Sequence, residues 1–269
     1  MGIEKKYKYI LERIEKAPRP VVFVNGATHG DEKIGVFVGQ ILSKTKITKG
    51  SLFINIANEK AFKKGVRFID QDLNRSAPGN PQGNYEERLA YYLGEVSKRV
   101  DVFFDIHSTT SELKDALIVT KLNDKIKEII KIISPKLVLV MKATGNKALM
   151  SQSKIGIAFE YGKDNKETAA KVIRDIKKVL FALGMIKIKI NILLGKPKVF
   201  VVKKAFKKSD GHRLHGNIKN VRLVKKGRVV ATSSDGKKII AKEDFHPILF
   251  GQDNYDGMFG FMGHKTDLD

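Results

Sequence analysis

With 269 residues, 42% of them hydrophobic and 30% charged, the sequence is typical of a soluble globular protein that buries one sizeable core. It contains no cysteine, which excludes disulfides, thiolate zinc sites and cysteine nucleophiles, so a bound metal must use His, Asp or Glu. The net charge of +22 comes from lysines spread along the chain, without the motif or interleaved aromatic residues of a nucleic-acid-binding protein.

Hydrophobic spacing predicts strands that are separated by helices. The first part predicts a helix at 6–16, a strand at 21–25, a helix from 32 to 41, a strand at 51–57 and a mostly irregular loop at 58–84. The next part predicts a helix at 85–99, strands at 102–106 and 117–120, a helix near 124–133, strands near 137–140 and at 155–159, and a helix at 165–183.

The order of these elements predicts the fold class. Strands that alternate with helices up to about residue 185 predict an α/β fold, with a mixed, largely parallel sheet flanked by helices. From residue 186 onward, short apolar runs at 199–202, 221–224 and 228–231 are punctuated by glycine and predict a small β domain of hairpins. We therefore divide the chain into residues 1–185 and 186–269.

Polar side chains follow three of the predicted strands. His29 and Glu32 come after the strand at 21–25, while His107 and Glu160 end two later apolar runs. Ligands bind at the carboxyl ends of strands in open α/β sheets, and imidazole and carboxylate groups are ligands of zinc. Taken singly, each residue also has a structural interpretation: Glu32 beside a helix N-terminus, His29 in a loop, His107 as a buried histidine and Glu160 in an ion pair.

The irregular stretch contains a second polar group. Arg67, Asp70, Asp72, Asn74 and Arg75 lie within nine residues of one another. Arginine clamps carboxylates through two hydrogen bonds and stabilises charge on a carbonyl oxygen. A long irregular segment in a compact domain is usually functional or disordered, and the alternative for this polar group is an ordinary solvated loop.

Together these segments resemble the succinylglutamate desuccinylase/aspartoacylase family, a branch of the zinc-carboxypeptidase-like hydrolases. The resemblance extends from about Val21 to about Tyr255. Its motifs occur in order at residues 26–32, 67–75, 105–110 and 159–162.

The resemblance implies a role for each residue of these motifs. His29, Glu32 and His107 would bind one zinc ion per chain and leave a position for water. Glu160 would be the general base that takes a proton from this water and passes it to the leaving amine. Arg67 would polarise the scissile carbonyl and stabilise the oxyanion.

The resemblance also implies substrate-binding residues, and the sequence departs from the family pattern at one position. Asn74 and Arg75 would hold a substrate carboxylate, and Tyr255 would reach the substrate from the C-terminal domain, which would cap the site. Aspartoacylases carry an arginine shortly before the catalytic glutamate, where it grips a carboxylate, and this chain has Met150 there. Lys147 or Lys154 would be the substitutes, although lysine lacks the planar fork of arginine.

The expected protein is a zinc-dependent hydrolase that cleaves an amide bond, or alternatively an ester, in a small acidic substrate that resembles an acyl-amino acid. The other interpretations are a metallocarboxypeptidase that acts on peptide C-termini and a non-catalytic protein whose basic surface binds a polyanion. No apolar run approaches the roughly 18 residues needed to cross a bilayer, and the first residues lack an apolar signal-peptide core. We therefore expect a cytoplasmic protein without a membrane partner.

Overall fold

The computed structural model describes residues 2–109, 113–188, 190–192 and 194–268. Its strands are β1 (Val21–Gly26), β2 (Ser51–Ile56), β3 (Val102–His107), β4 (Ala116–Val119), β5 (Leu137–Met141), β6 (Gly156–Glu160), β7 (Lys198–Lys207), β8 (His212–Leu214), β9 (Val229–Ser233), β10 (Lys238–Ile240), β11 (His246–Ile248) and β12 (Met258–Thr266). Its helices are α1 (Ile3–Glu15), α2 (Ile34–Leu42), α3 (Glu59–Lys64), α4 (Tyr85–Arg99), α5 (Asp124–Ile133) and α6 (Lys166–Ala182).

Nine strands form one mixed sheet in the order β11-β12-β7-β5-β4-β6-β3-β1-β2. The half that contains β2, β1, β3 and β6 is parallel throughout. Strand β4 then runs antiparallel to β6, while β5 and β7 are parallel to β4 and β5 respectively. The predicted mixed, largely parallel sheet is therefore confirmed.

Helices cover both faces of the sheet, as the sequence predicted. In β1, Val22 and Val24 pack in one buried cluster with residues of α2, α5 and α6, while Val21 and Phe23 pack in another with residues of α1 and α4. This division follows from the two-residue period of a strand, which sends neighbouring side chains to opposite faces. Among the described residues, no helix combines the length and apolar character that crossing a membrane requires.

The C-terminal part of the chain contributes to two sheets. Strands β7, β12 and β11 extend the nine-stranded sheet, and β10, β9 and β8 form a separate antiparallel sheet, which agrees with the small β region expected there. The proposed division at residue 186 stays a prediction, since strands from both sides of it hydrogen-bond in one sheet through the β5–β7 pairing.

The stretch at 58–84 is mostly irregular, as predicted, and it also contains α3 and a 3₁₀ turn at Leu73–Arg75; Asn58 caps α3, because its side chain accepts a hydrogen bond from the backbone N–H of Ala61. Two other local predictions were wrong. Residues 221–224 form an isolated β-bridge through Val224 instead of a strand. Glu32 precedes α2 instead of lying in its first turn.

The N-terminus of α2 is fixed by hydrogen bonds to a residue that is distant in the sequence. The Asp164 carboxylate accepts hydrogen bonds from the backbone N–H groups of Lys33 and Ile34 at 3.1 and 2.8 Å. A carboxylate at a helix N-terminus satisfies N–H groups that have no partner within the helix. Glu32 is thereby left outside the helix, where its side chain turns to the edge of the sheet.

A contact between two glycines brings α2 against the end of β1. A Cβ atom added to Gly35 would lie 2.6 Å from the Cα of Gly26, and one added to Gly26 would lie 2.5 Å from the carbonyl carbon of Gly35. Because backbone atoms stand on both sides, no change of rotamer can relieve such a contact. The segment that carries His29 and Glu32 connects these two glycines.

We expect Gly35→Ala to lower the free energy of unfolding by about 1–3 kcal/mol, because the added methyl group overpacks the contact between α2 and β1. Urea denaturation followed by circular dichroism measures the change. Gly216→Ala is the matched control, since a Cβ there meets nothing within 4 Å. Equal stability of the two variants would contradict the close packing.

Candidate active site

The parallel register of three neighbouring strands brings the polar strand ends together. Gly26, the last residue of β1, pairs with Ile106 of β3. On the other side of β3, His107 pairs with Glu160, the last residue of β6. The loop after β1 and the ends of β3 and β6 therefore meet at one edge of the sheet.

The Glu32 carboxylate joins the two histidines at this edge. Its Oε1 lies 2.7 Å from Nδ1 of His29, and its Oε2 lies 3.0 Å from Nδ1 of His107. The backbone N–H of Ser108 donates a further hydrogen bond of 3.0 Å to Oε2. All three side chains are buried, and each offers a ligand atom within 4.8 Å of the others.

Burial and charge act against each other in this cluster. Burial opposes ionisation of Glu32, yet His107 and His29 hold the pKa of its carboxyl well below the usual range. Burial likewise opposes a charged His107, but Asp105 and Glu32 raise its pKa well above the ordinary value. For His29, Asp72 and Glu32 outweigh burial and raise the pKa. The buried acids thus favour positive charge at this place, and two imidazoles with a carboxylate are a donor set that fits zinc and other divalent first-row ions.

A row of polar residues beneath the sheet edge holds His107. Its Nε2 lies 3.1 Å from Oδ2 of Asp105, whose Oδ1 accepts hydrogen bonds from Thr28 at 2.6 Å and Asn25 at 3.1 Å. The side-chain amide of Asn55 donates in turn to Oδ1 of Asn25 at 2.8 Å. Asn55, Asn25 and Asp105 are register partners on β2, β1 and β3, so the row crosses three strands.

This row of polar residues was not predicted from the sequence. A polar residue that interrupts an apolar strand was the available signal, and it occurs once each in β1, β2 and β3. Only the strand register shows that the three interruptions face one another, because they are 30 and 80 residues apart along the chain.

Arg67 and Asp72 border the histidine cluster on the side of the loop. Nε2 of His29 lies 3.1 Å from Oδ1 of Asp72 and 3.0 Å from Nη2 of Arg67. The Arg67 guanidinium also forms ion pairs of 3.4 Å with Glu32 and 3.5 Å with Asp72. Its side chain is 45% exposed, so the guanidinium borders the cluster and remains accessible from the cleft.

Glu86, a residue that the sequence analysis missed, holds this loop in place. Its carboxylate lies at the start of α4, is fully buried, and accepts hydrogen bonds from the backbone N–H groups of Ile69, Asp70 and Gln71 at 2.8, 3.0 and 3.4 Å. The side-chain amide of Asn58 adds a fourth hydrogen bond of 2.8 Å. A glutamate in a helix usually faces solvent, so the local pattern carried no signal for this role.

Glu160 and Tyr255 lie close enough to the cluster and the loop to interact electrostatically with them. Burial raises the pKa of Glu160 to about 7, with His107 opposing the shift and Glu32 adding to it. Burial and the nearby Glu160 raise the pKa of Tyr255 to about 12, which keeps the phenol protonated near neutral pH. The Tyr255 ring packs edge-on against Phe261 at a centroid distance of 5.6 Å.

Glu160 and Tyr255 share one cleft with the histidine cluster and with Arg67 and Asp72, and its volume of about 570 Å³ is within the range of small-molecule sites. The sequence-predicted residues that line it are His29, Glu32, Arg67, Asn74, Arg75, His107, Glu160 and Tyr255. Asn74 accepts a hydrogen bond from the backbone of Leu149 at 3.3 Å, and Arg75 donates to the carbonyl of Asn74 at 2.9 Å. Thr110, the last residue of the motif at 105–110, lies outside the described residues.

Residues 18–184 match the catalytic domain of succinylglutamate desuccinylase/aspartoacylase. The chain belongs to this family. It is 32% identical over 128 residues to an aspartoacylase from Danio rerio, a match that covers 41% of this chain and 40% of the relative. It is 29% identical over 163 residues to a probable aspartoacylase from Nostoc, covering 52% of this chain and 54% of that relative. The matches thus span about half the length of these relatives.

Solved structures share the fold over most of the chain. Murine aminoacylase 3 superimposes with a TM-score of 0.74 at 18% identity, and the match covers 93% of this chain and 96% of that one. A succinylglutamate desuccinylase/aspartoacylase from Rhodobacter sphaeroides gives a TM-score of 0.72 at 17% identity, covering 92% and 86%. This likeness confirms the predicted fold class.

Met150 lines the cleft of this family member, at the position where the sequence analysis expected an arginine. It lies in a 3₁₀ turn at Leu149–Gln152 and is 4% exposed. The two candidate substitutes do not take its place, since Lys147 and Lys154 are exposed and lie outside the residues that line the cleft.

We expect Glu86→Gln to lower the free energy of unfolding by about 2 kcal/mol, because the amide replaces one acceptor oxygen with a donor that faces backbone N–H groups. Urea denaturation measures the loss. Glu95→Gln on the same helix removes a partly exposed ion pair with Lys98 and Arg99, and we expect it to cost less than about 1 kcal/mol. A loss no larger for Glu86→Gln than for this control would argue against the role of Glu86 in the loop.

Proposed function

We propose that the protein is a zinc-dependent hydrolase that cleaves the amide bond of an N-acyl amino acid or a similar carboxylate-bearing substrate. The observation that carries this proposal is the buried cluster of His29, Glu32 and His107 beside Glu160 in one cleft. Relatives of the chain support the reaction class: one bears the name N-acyl-aromatic-L-amino acid amidohydrolase, and another N-alpha-acetyl-L-2,4-diaminobutyric acid deacetylase.

In this proposal His29, Glu32 and His107 hold one zinc ion per chain. When bound, zinc supplies a Lewis acid that polarises a carbonyl group and lowers the pKa of water. The residues around the ligands maintain their orientation: Asp105 holds the ring of His107, and Asp72 lies against that of His29. Such outer contacts fix the tautomer and direction of an imidazole ligand.

Glu160 acts as the general base and then the general acid of the reaction. With a pKa raised to about 7, its carboxylate accepts a proton from the attacking water near neutral pH and donates it to the leaving nitrogen. The oxygen of that water forms a bond to the carbonyl carbon, and the C–N bond breaks. The products are a carboxylate and a free amine.

Four further side chains bind the substrate. The accessible guanidinium of Arg67 stabilises the negative charge that develops on the carbonyl oxygen. Asn74 and Arg75 hold the substrate carboxylate, for which the planar guanidinium is suited. The neutral phenol of Tyr255, which also lines the cleft, donates a hydrogen bond to the substrate.

Purified protein is expected to contain about one equivalent of zinc, as measured by mass spectrometry of the metal content. His107→Ala removes a ligand, so its metal content is expected to fall below about a tenth of an equivalent after dialysis. His215→Ala is the control, because the ring of His215 bonds Thr232 in the small sheet, away from the cleft. Less than about half an equivalent in the unaltered protein would count against the zinc site.

Glu160→Gln is expected to lower kcat by about 100- to 10,000-fold with unchanged zinc content, because the amide cannot accept the proton. The assay follows amine release from N-acetyl amino acids and, in parallel, release of C-terminal residues from short peptides. Glu128→Gln, at an exposed position of α5, serves as the control. Equal rates in both variants would exclude Glu160 as the base, and activity on peptides alone would favour a metallocarboxypeptidase.

A further inference from the structure

The two halves of the cleft differ in chemistry. The half next to β1 and β3 carries the histidines and the charged residues of the loop, including Arg67 and Arg75. The other half is built from β4, β5 and β12, which lie beyond β6 in the sheet order, and from the segments after β5 and β11. Its apolar wall consists of Ile118, Met141, Met150, Leu249, Met258 and Phe261.

Most of this apolar wall belongs to a packed cluster instead of standing as isolated side chains. Met141, Leu249 and Phe261 are at most 7% exposed and pack in one core cluster, against which Ile118 and Met258 are partly buried. A substrate group that enters this half therefore exchanges water for close-packed apolar surface. Such an exchange favours each methylene group and disfavours a charge.

The cleft offers few positive charges for a substrate. The described residues that line the cleft include two arginines, Arg67 and Arg75, and no lysine. Apart from the histidines, these arginines are its cationic side chains. Arg67 already pairs with Glu32 and Asp72. Arg75 forms no ion pair with any described residue, and its Nη1 donates only to the carbonyl of Asn74. Because Arg67 stabilises the carbonyl oxygen in the proposed reaction, Arg75 is the guanidinium that remains for a substrate carboxylate.

We infer that the substrate is an N-acyl amino acid with a single carboxylate, whose acyl chain and side chain are both uncharged and apolar. The inference rests on the proposed hydrolase function and narrows its substrate class. Arg75 binds the carboxylate, and the remaining groups lie against the apolar wall. A second carboxylate, on either the acyl or the amino-acid side, would lose its hydration in this half and meet only the uncharged donors Thr144, Asn254 and Tyr255, without a cationic partner.

Two matched substrate pairs test the inference on the zinc-loaded protein. N-acetyl-L-methionine and N-acetyl-L-aspartate differ in the side chain, whereas N-butyryl-L-methionine and N-succinyl-L-methionine differ in the acyl group. The expected result is a kcat/KM about 100-fold higher for the monocarboxylate of each pair. A preference for either dicarboxylate would overturn the inference and leave the proposed hydrolase function intact.

A binding measurement tests the substrate preference independently of catalytic turnover. Calorimetry with the zinc-loaded Glu160→Gln protein is expected to rank the four compounds in the same order. If the unaltered protein hydrolyses none of them, the proposed function fails. If the Glu160→Gln protein binds the dicarboxylates as tightly as the monocarboxylates, the inference fails by itself.

A charge added to the apolar wall gives a second test. Met258 is partly exposed at the start of β12, and Met258→Arg places a cation beside the apolar half of the cleft. The preference for N-acetyl-L-methionine over N-acetyl-L-aspartate is expected to fall at least about tenfold in this variant. Leu223→Arg adds the same charge at a side chain that is 45% exposed and outside the cleft. Equal preferences in the two variants would contradict selection by the wall.

Discussion

The parallel pairing of β1, β3 and β6 is the constraint on which the site depends. It places the loop after β1 beside the end of β3, and it sets His107 directly against Glu160. The Glu32 carboxylate then spans both histidines, so a single side chain connects two segments that are 75 residues apart. A slip of one residue in this pairing would turn these side chains to the opposite face of the sheet, because successive residues of a strand face opposite sides.

Burying so many ionisable groups is possible because nearly all of them have partners. Asp105 contacts His107 on one side and accepts hydrogen bonds from Thr28 and Asn25 on the other, and Glu86 accepts four hydrogen bonds. A buried charge that loses a partner is strongly destabilising, so these contacts connect the stability of the fold to the geometry of the cleft. The same contacts keep the side chains in fixed orientations, which a ligand set for a metal requires.

The charge of the cleft differs from the charge of the whole chain. The net charge of +22 comes from lysines, yet the described cleft residues include no lysine and several acids, among them Asp31, Asp72 and Asp164. Screening in water weakens the effect of distant surface charges, so groups within a few ångströms decide what the cleft accepts. The surface charge can raise the rate at which an anion arrives, whereas in our proposal Arg75 and the apolar wall select among anions.

The sequence by itself determined the alternation of strands and helices, the convergence of His29, Glu32, His107 and Glu160, and the family. Each of these follows from local periodicity or from short ordered motifs. Tertiary structure alone decided that Glu86 holds the loop, that polar residues of three strands form one row, that Asp164 sets the start of α2, and that the last strands extend the main sheet. These features depend on hydrogen bonds between residues 15 to 131 positions apart, and a local sequence pattern does not show which distant residue will be the partner.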